Sequence, residues 1–244
     1  MAKYRKWFGG ALGWVFGGPI GALVGLALGS VFDEAAESGA RTSIRDKRYT
    51  RQGDFEVSLL VLASYVIKAD GEVRKTELDY VRNTFVELFG RARANEAFRF
   101  FNEITKQNTY SLKEVCTQIY QNMDHPSRLQ LMHFLFKIAH VDGHVDDRER
   151  EMVFQIGDYL RISAADMKSL EAMYMPDDSA YYKILEIEET ATDAEVKKAY
   201  RKMAKKYHPD RVQHLGEEYQ DEAESKFRKV QEAYDGIMKK RKSA

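Results

Sequence analysis

Cysteine is almost missing from this sequence: Cys116 stands alone among 244 residues. That excludes an internal disulfide and any metal cluster built on several thiolates, and it fits a reducing compartment. Proline is nearly as scarce, with four residues, so a proline-rich, low-complexity chain is excluded too. Net charge is also lacking. Lys plus Arg and Asp plus Glu both number 38, so no overall field draws in nucleic acid or acidic lipid, and a charged partner must be met by a local patch. There is no GxxxxGK[ST] loop, no set of nucleophile, base and orienting group, and no alternating apolar run flanked by turns. The expectation is an all-α chain that is not itself an enzyme, uses no cofactor and binds no nucleic acid. Its length suits two compact units and an appendage.

What is present is unevenly spread. From Trp7 to Phe32 there are 26 residues without a charge, with Lys3, Arg5 and Lys6 before them and Asp33, Glu34 and Glu37 after. As a helix this run would measure about 39 Å, against roughly 30 Å of hydrocarbon, so it is a membrane span candidate. Gly9, Gly13, Gly17, Gly21, Gly25 and Gly29 recur every four residues. On a helix they form one groove bare of side chains, where a second backbone packs closely; the expected consequence is a homodimer through this helix. Pro19 falls mid-run and should kink it. A cleaved signal peptide and a flexible glycine-rich leader are the competing readings, and peripheral attachment to lipid stays open because glycine is only weakly apolar.

From Phe55 to about Met175 the apolar spacing is helical throughout. At an offset of 72 the segment Val66 to Val73 aligns with Ile138 to Val145, followed by Glu77 with Glu149 and Val81 with Val153. Each copy reads as an apolar helix, an Asp-Gly turn, a valine and a second helix opening on an acid. Asp70, Glu77, Asp142 and Glu149 invite comparison with a calcium loop, but Val66, Lys68, Ile138 and His140 occupy positions where that loop needs oxygen ligands. The plainer reading is that glycine makes the turn and the carboxylates cap the next helix. His140 and His144 have metal-ligand spacing across the same turn, which breaks the helix that would align them, so no metal is expected. The paired unit resembles the TerB-like domain, a helical family associated with stress responses and proposed metal binding.

Met175-Pro176-Asp177-Asp178 ends this pattern, and Ser179 opens a final unit. Tyr181 to Ile187 is a short apolar helix and its exit. Thr192-Asp193-Ala194-Glu195 is a capping box. Behind it Val196, Ala199, Tyr200, Met203, Ala204 and Tyr207 form a buried face, while Lys197, Lys198, Arg201, Lys202, Lys205 and Lys206 take the other side. A second amphipathic run, with Ala223, Phe227, Val230, Tyr234 and Ile237 inward, packs antiparallel to the first. Between the two lies His208-Pro209-Asp210, where proline ends the helix and turns histidine and aspartate to solvent. His125-Pro126-Ser127 has a similar look but precedes an apolar run, and there proline starts a helix.

Capping box, basic helix, His-Pro-Asp turn and second helix, together with the Y-x-x-L-x-I opening, resemble the J domain of DnaJ-type co-chaperones. That resemblance implies docking on a DnaK-type heat-shock ATPase and stimulation of its ATP hydrolysis. His208, Pro209 and Asp210 would carry the effect, and the six basic residues would meet an acidic partner surface. Neither a glycine-phenylalanine region nor a paired-cysteine zinc module follows. The order of parts resembles the DjlA-type proteins: a glycine-rich membrane segment (1–35), a linker (36–54), a TerB-like domain (55–178) and a J domain (179–244). The implied protein is a single-pass inner-membrane co-chaperone with both domains in the cytoplasm. The alternative is a metal-binding stress sensor to which the J domain is accessory.

Overall fold

The computed structural model describes residues 18–28, 52–71, 73–105, 111–140, 146–175 and 179–242. Among them every regular element is helical, as expected. The chain divides into two compact units, 1–160 and 161–244.

The first unit contains α1 (Gly18–Leu28), α2 (Gln52–Ile67), α3 (Lys75–Thr105), α4 (Leu112–Asn122), α5 (His125–Ala139) and α6 (Asp147–Tyr159). At its centre α2 packs on α5, with Phe55 edge-on to Phe134 at 6.3 Å. Both helices are buried along most of their length, polar residues such as Glu56, Ser58, Gln130 and His133 included, as befits helices enclosed on nearly all sides. The duplication is visible in their ends. α2 stops at residue 67 and α3 starts at 75, while α5 stops at 139 and α6 starts at 147, so both boundaries repeat at the offset of 72. Gly71 holds φ +87°, a left-handed conformation that suits glycine. Arg148 of the second copy donates to the Asp70 carbonyl of the first at 3.2 Å.

α3 is two helices joined at Gly90, whose φ of +71° and ψ of 159° are not helical. Arg82 donates to Asn95 at 3.1 Å, and Phe85 lies edge-on to Phe101 at 6.2 Å. Residues sixteen apart on a straight helix would be about 24 Å distant. The chain therefore folds back on itself here, a reversal that the helical periodicity had hidden.

Capping explains the other boundaries. Asp124 accepts from Ser127 N–H at 2.8 Å, and Pro126 sits in the first turn of α5, as expected for a helix start. Ser111 and Glu114 form a capping box on α4 that the sequence reading passed over. Arg128 closes the unit by donating to the Leu160 carbonyl and lying over the Tyr120 ring at 4.8 Å.

α1 packs against α3 and α4, burying Ile20, Leu23 and Val24, and Ile20 N–H donates to Gln118 Oε1 at 2.9 Å. Pro19 stands in its first turn, where a missing N–H costs no hydrogen bond, and so starts the described helix where a kink was expected. At 11 residues α1 is about 16 Å long. Among the described residues no helix is long and apolar enough to cross a membrane. Gly21 and Gly25 lie on α1, one turn apart; Gly9, Gly13, Gly17 and Gly29 fall outside the described residues.

The second unit holds α7 (Ala164–Ala172), α8 (Ala180–Ile184), α9 (Asp193–Lys206), a 3₁₀ segment (Pro209–Leu215) and α10 (Glu217–Lys242). α9 and α10 form the expected hairpin, with Val196, Met203, Val230 and Ile237 fully buried and Tyr200 stacked on Tyr234 at 4.6 Å. α10 also carries α8. Gly236 permits this contact: a Cβ there would come within 2.3 Å of the Tyr181 ring. Arg241 ties the far end of α10 to the start of α9, donating to Asp193 Oδ1 at 2.7 Å and to the Ala191 carbonyl at 2.6 Å.

Cys116 tests the packing of the first unit. It is buried on α4, and desolvation pushes its thiol up to about 12. The folded chain should therefore resist thiol reagents at pH 8 and react only as denaturant opens it. Labelling at the rate of a free cysteine in the native chain would show that α4 does not pack as described.

Candidate functional site

The site is built by the end of one helix and the start of the next. Thr192 opens α9 as predicted: its hydroxyl accepts from Glu195 N–H at 3.4 Å, and its own N–H donates to Glu195 Oε2 at 2.7 Å. That backbone hydrogen bond, with a second from the hydroxyl, holds the Glu195 carboxyl below the usual carboxylate range. After the fourteen residues of α9, Tyr207 caps the helix, its N–H returning to the Met203 carbonyl. Tyr207 is 3% exposed, so the chain is pinned inward at this point.

The next residue turns out. His208 has extended geometry (φ −62°, ψ 132°), as a residue before proline prefers, and it caps the 3₁₀ segment by accepting from Asp210 N–H at 3.3 Å. Its ring stands edge-on to Phe227 of α10 at 5.9 Å. Nδ1 lies 3.4 Å from Asp210 Oδ2, while the two side chains remain 49% and 68% exposed. Imidazole and carboxylate are thus held by the fold and offered to solvent together. Asp210 also accepts from Gln213 at 2.8 Å.

Beyond the turn, the connection from Arg211 to Glu222 is ordered. The 3₁₀ segment buries Val212 and Leu215, Gly216 reverses the chain at φ +120°, and α10 begins at Glu217, burying Tyr219. Sequence reading missed this because three-residue periodicity over seven residues leaves little pattern.

The basic residues divide into two groups. Lys197, Lys198, Arg201 and Lys205 are exposed on α9. Lys202 and Lys206 instead meet Glu186, at 2.8 Å and 2.6 Å. Lys202 stays 66% exposed, but Lys206 is only 18% exposed and is also paired with Asp166. Lys206 is therefore turned inward, and the outward charge is carried by the other five.

Of the metal candidates, Asp70 pairs with Arg74 at 3.3 Å and Glu149 is buried in the first turn of α6. The Glu77 side chain and Asp142, like His144, lie outside the described residues. His140 Nδ1 is 2.7 Å from the Phe136 carbonyl. Among the described residues no three His, Cys, Asp or Glu side chains converge as a metal set.

A short helix and a two-helix hairpin whose connection bears His-Pro-Asp after a basic helix define a J domain, and residues 180–244 match the DnaJ domain model. The chain is a J-domain co-chaperone. Residues 56–172 match the family described as tellurite resistance protein TerB, and 1–44 match the co-chaperone DjlA transmembrane domain. With those three parts in that order, the chain belongs to the membrane-anchored DjlA-type co-chaperones. It is 27% identical to co-chaperone protein DjlA of Coxiella burnetii, an alignment covering 97% of both chains. It is also 27% identical to co-chaperone protein DjlA of Photobacterium profundum, over 98% of this chain and 99% of the relative. Chaperone protein DnaJ of Erysipelothrix rhusiopathiae is 50% identical over 70 residues, 29% of this chain and 17% of the relative. No solved structure gives a significant match.

Lys226 is a functional-end residue that periodicity alone did not expose. It is 3% exposed on α10, with its ammonium 5.7 Å from the centre of the Tyr207 ring. Burial lowers its pKa to about 7, with Glu222 opposing the shift. An unfolded lysine titrates near 10.4. Between these values the unfolded chain binds the extra proton, so Lys226 makes stability rise with pH from about 7 to about 10; below 7 its cost is constant. Denaturant unfolding followed by circular dichroism should show a steeper rise over this range for wild type than for Lys226→Met. Parallel pH profiles would contradict the burial of a titrating ammonium.

Proposed function

We propose that this chain recruits a DnaK-type ATPase and stimulates its ATP hydrolysis through His208, Pro209 and Asp210. The observation that carries the reading is the turn itself: His208 and Asp210 are anchored by hydrogen bonds and by Phe227, yet face solvent at the end of a basic helix. Lys197, Lys198, Arg201, Lys202 and Lys205 supply the positive surface on which an acidic partner docks. Charge steers the encounter, and the turn makes the contact that alters the ATPase.

In single-turnover assays the wild-type chain should accelerate ATP hydrolysis by a DnaK-type chaperone. His208→Gln should return the rate to the unstimulated value with an unchanged circular dichroism spectrum. A folded His208→Gln chain that stimulates like wild type would remove the turn from the mechanism.

In this reading the membrane segment leaves the packing of α1 on α3 and α4 when it enters lipid, and acts as a single-pass anchor with everything from Asp33 onward in the cytoplasm. Arg41, Arg45, Lys47, Arg48 and Arg51 follow the uncharged run, against Lys3, Arg5 and Lys6 before it, which favours that side. The glycine series then brings two anchors together in the lipid and doubles the local supply of His-Pro-Asp turns. Replacing Gly17 and Gly21 by leucine should keep the chain in the membrane and abolish in-membrane crosslinking between copies. Equal crosslinking in both forms would leave the glycine register without this role.

A further inference from the structure

α7 lies inside the stretch that matches TerB, 56–172, yet it belongs to the second compact unit, which begins at residue 161. Its polar side chains account for this. Ser163 caps α7 and donates from its hydroxyl to Asp166 Oδ2 at 2.8 Å, which orients that carboxylate. Asp166 is 4% exposed and ion-paired with Lys206, the last residue of α9. Lys206 is shared with Glu186, whose own backbone sits in the left-handed region at φ +57°. A non-glycine residue is kept in that strained geometry only where its surroundings hold it. One turn along α7, Ser169 donates to the Ile184 carbonyl at 2.9 Å, which ties α7 to the last residue of α8. From the other strut of the hairpin, Lys229 reaches the Met173 carbonyl just after α7 and lies over the Tyr174 ring at 4.4 Å.

Lys206, two residues before His208, is thus tied to α7 by charge, while Ser169 holds α7 on α8. Met167, Leu170 and Ala172 also bury an apolar side of α7, but that contact needs no carboxylate, which is costly to bury unless it is paired. Here the buried carboxylate is aimed at the residue that ends the basic helix. We infer that α7 is a working part of the co-chaperone unit, and that Asp166 and Ser169 are positioning residues, the first fixing Lys206 and the second seating α7 on α8, which together set the direction in which the His-Pro-Asp turn leaves α9. The inference rests on the role given to that turn above.

The test uses the full chain in liposomes and single-turnover ATP hydrolysis by a DnaK-type chaperone over a range of co-chaperone concentrations. Asp166→Asn keeps the shape and removes the charge. Its maximal stimulation should fall at least about threefold, because the turn is misdirected. The concentration for half-maximal stimulation should stay within about twofold, because the exposed docking face is intact. Amide hydrogen exchange across 208–215 should quicken in the same variant, and Asp166→Glu should recover wild-type behaviour in both measurements. Ser169→Ala is the smaller lesion, used if Asp166→Asn does not fold, and it should move both readouts in the same direction. Wild-type stimulation together with wild-type exchange in a folded Asp166→Asn or Ser169→Ala chain overturns the inference. So does a variant that raises only the half-maximal concentration, which would place these residues in docking. If the wild-type chain itself gives no stimulation, the function assigned to the turn fails, and the exchange measurement still decides whether α7 holds the turn in place.

Discussion

Burial of Tyr207 is the constraint on which the functional end of this protein depends. The ammonium groups of Lys206 and Lys226 lie 5.8 and 5.7 Å from the centre of its ring. Burial, aided by the Glu186 charge, raises its pKa, so it stays a neutral phenol at physiological pH. Because Tyr207 must point inward and Pro209 cannot extend a helix, His208 has one way to go, which is out. An exposed histidine on a free loop would sample many directions. This one leaves a fixed point, rests on Phe227 and is followed at once by a 3₁₀ segment with its own buried residues, so its direction is largely settled before any partner arrives.

Charge is sorted by the same arrangement. A basic helix in isolation would be a solvated face, or a surface for phosphates. Here one lysine is drawn inward to Asp166 and Glu186, and the remainder face solvent next to the turn. Internal pairing is strong because it is shielded, whereas the exposed lysines interact weakly with their neighbours and stay available for an encounter. The helix therefore serves two ends. Its last residue locks it into the unit, and its outer face meets whatever approaches the turn.

Most of this was legible in the sequence because it depends on local chemistry. The Thr192 capping box, the apolar spacing of Val196 to Tyr207 and the proline after His208 each dictate a short-range conformation that no distant contact could easily override. The 72-residue repeat was equally plain, since an Asp-Gly turn and its flanking helices recur together. Three features were hidden. The reversal at Gly90 leaves a helical pattern on both sides, so periodicity runs straight through it. The 3₁₀ segment is too short to show a period. The inward turn of Lys206 depends on Asp166, forty residues away in the sequence, and a lysine on a basic face gives no sign of which carboxylate it will find. The glycine series at the N-terminus reads clearly as a pattern, but only Gly21 and Gly25 of its six members fall on a described helix.

Hydrogen exchange on the full chain, with and without a DnaK-type chaperone held in its ATP state, most directly tests the claim that the partner is met at this end of the second unit. Protection should appear on the exposed side of α9 around Lys197 to Lys205 and across the His208 to Asp210 turn. The central helices α2 and α5 should be unaffected. Protection confined to the first unit, with α9 and the turn exchanging as they do alone, would contradict the account.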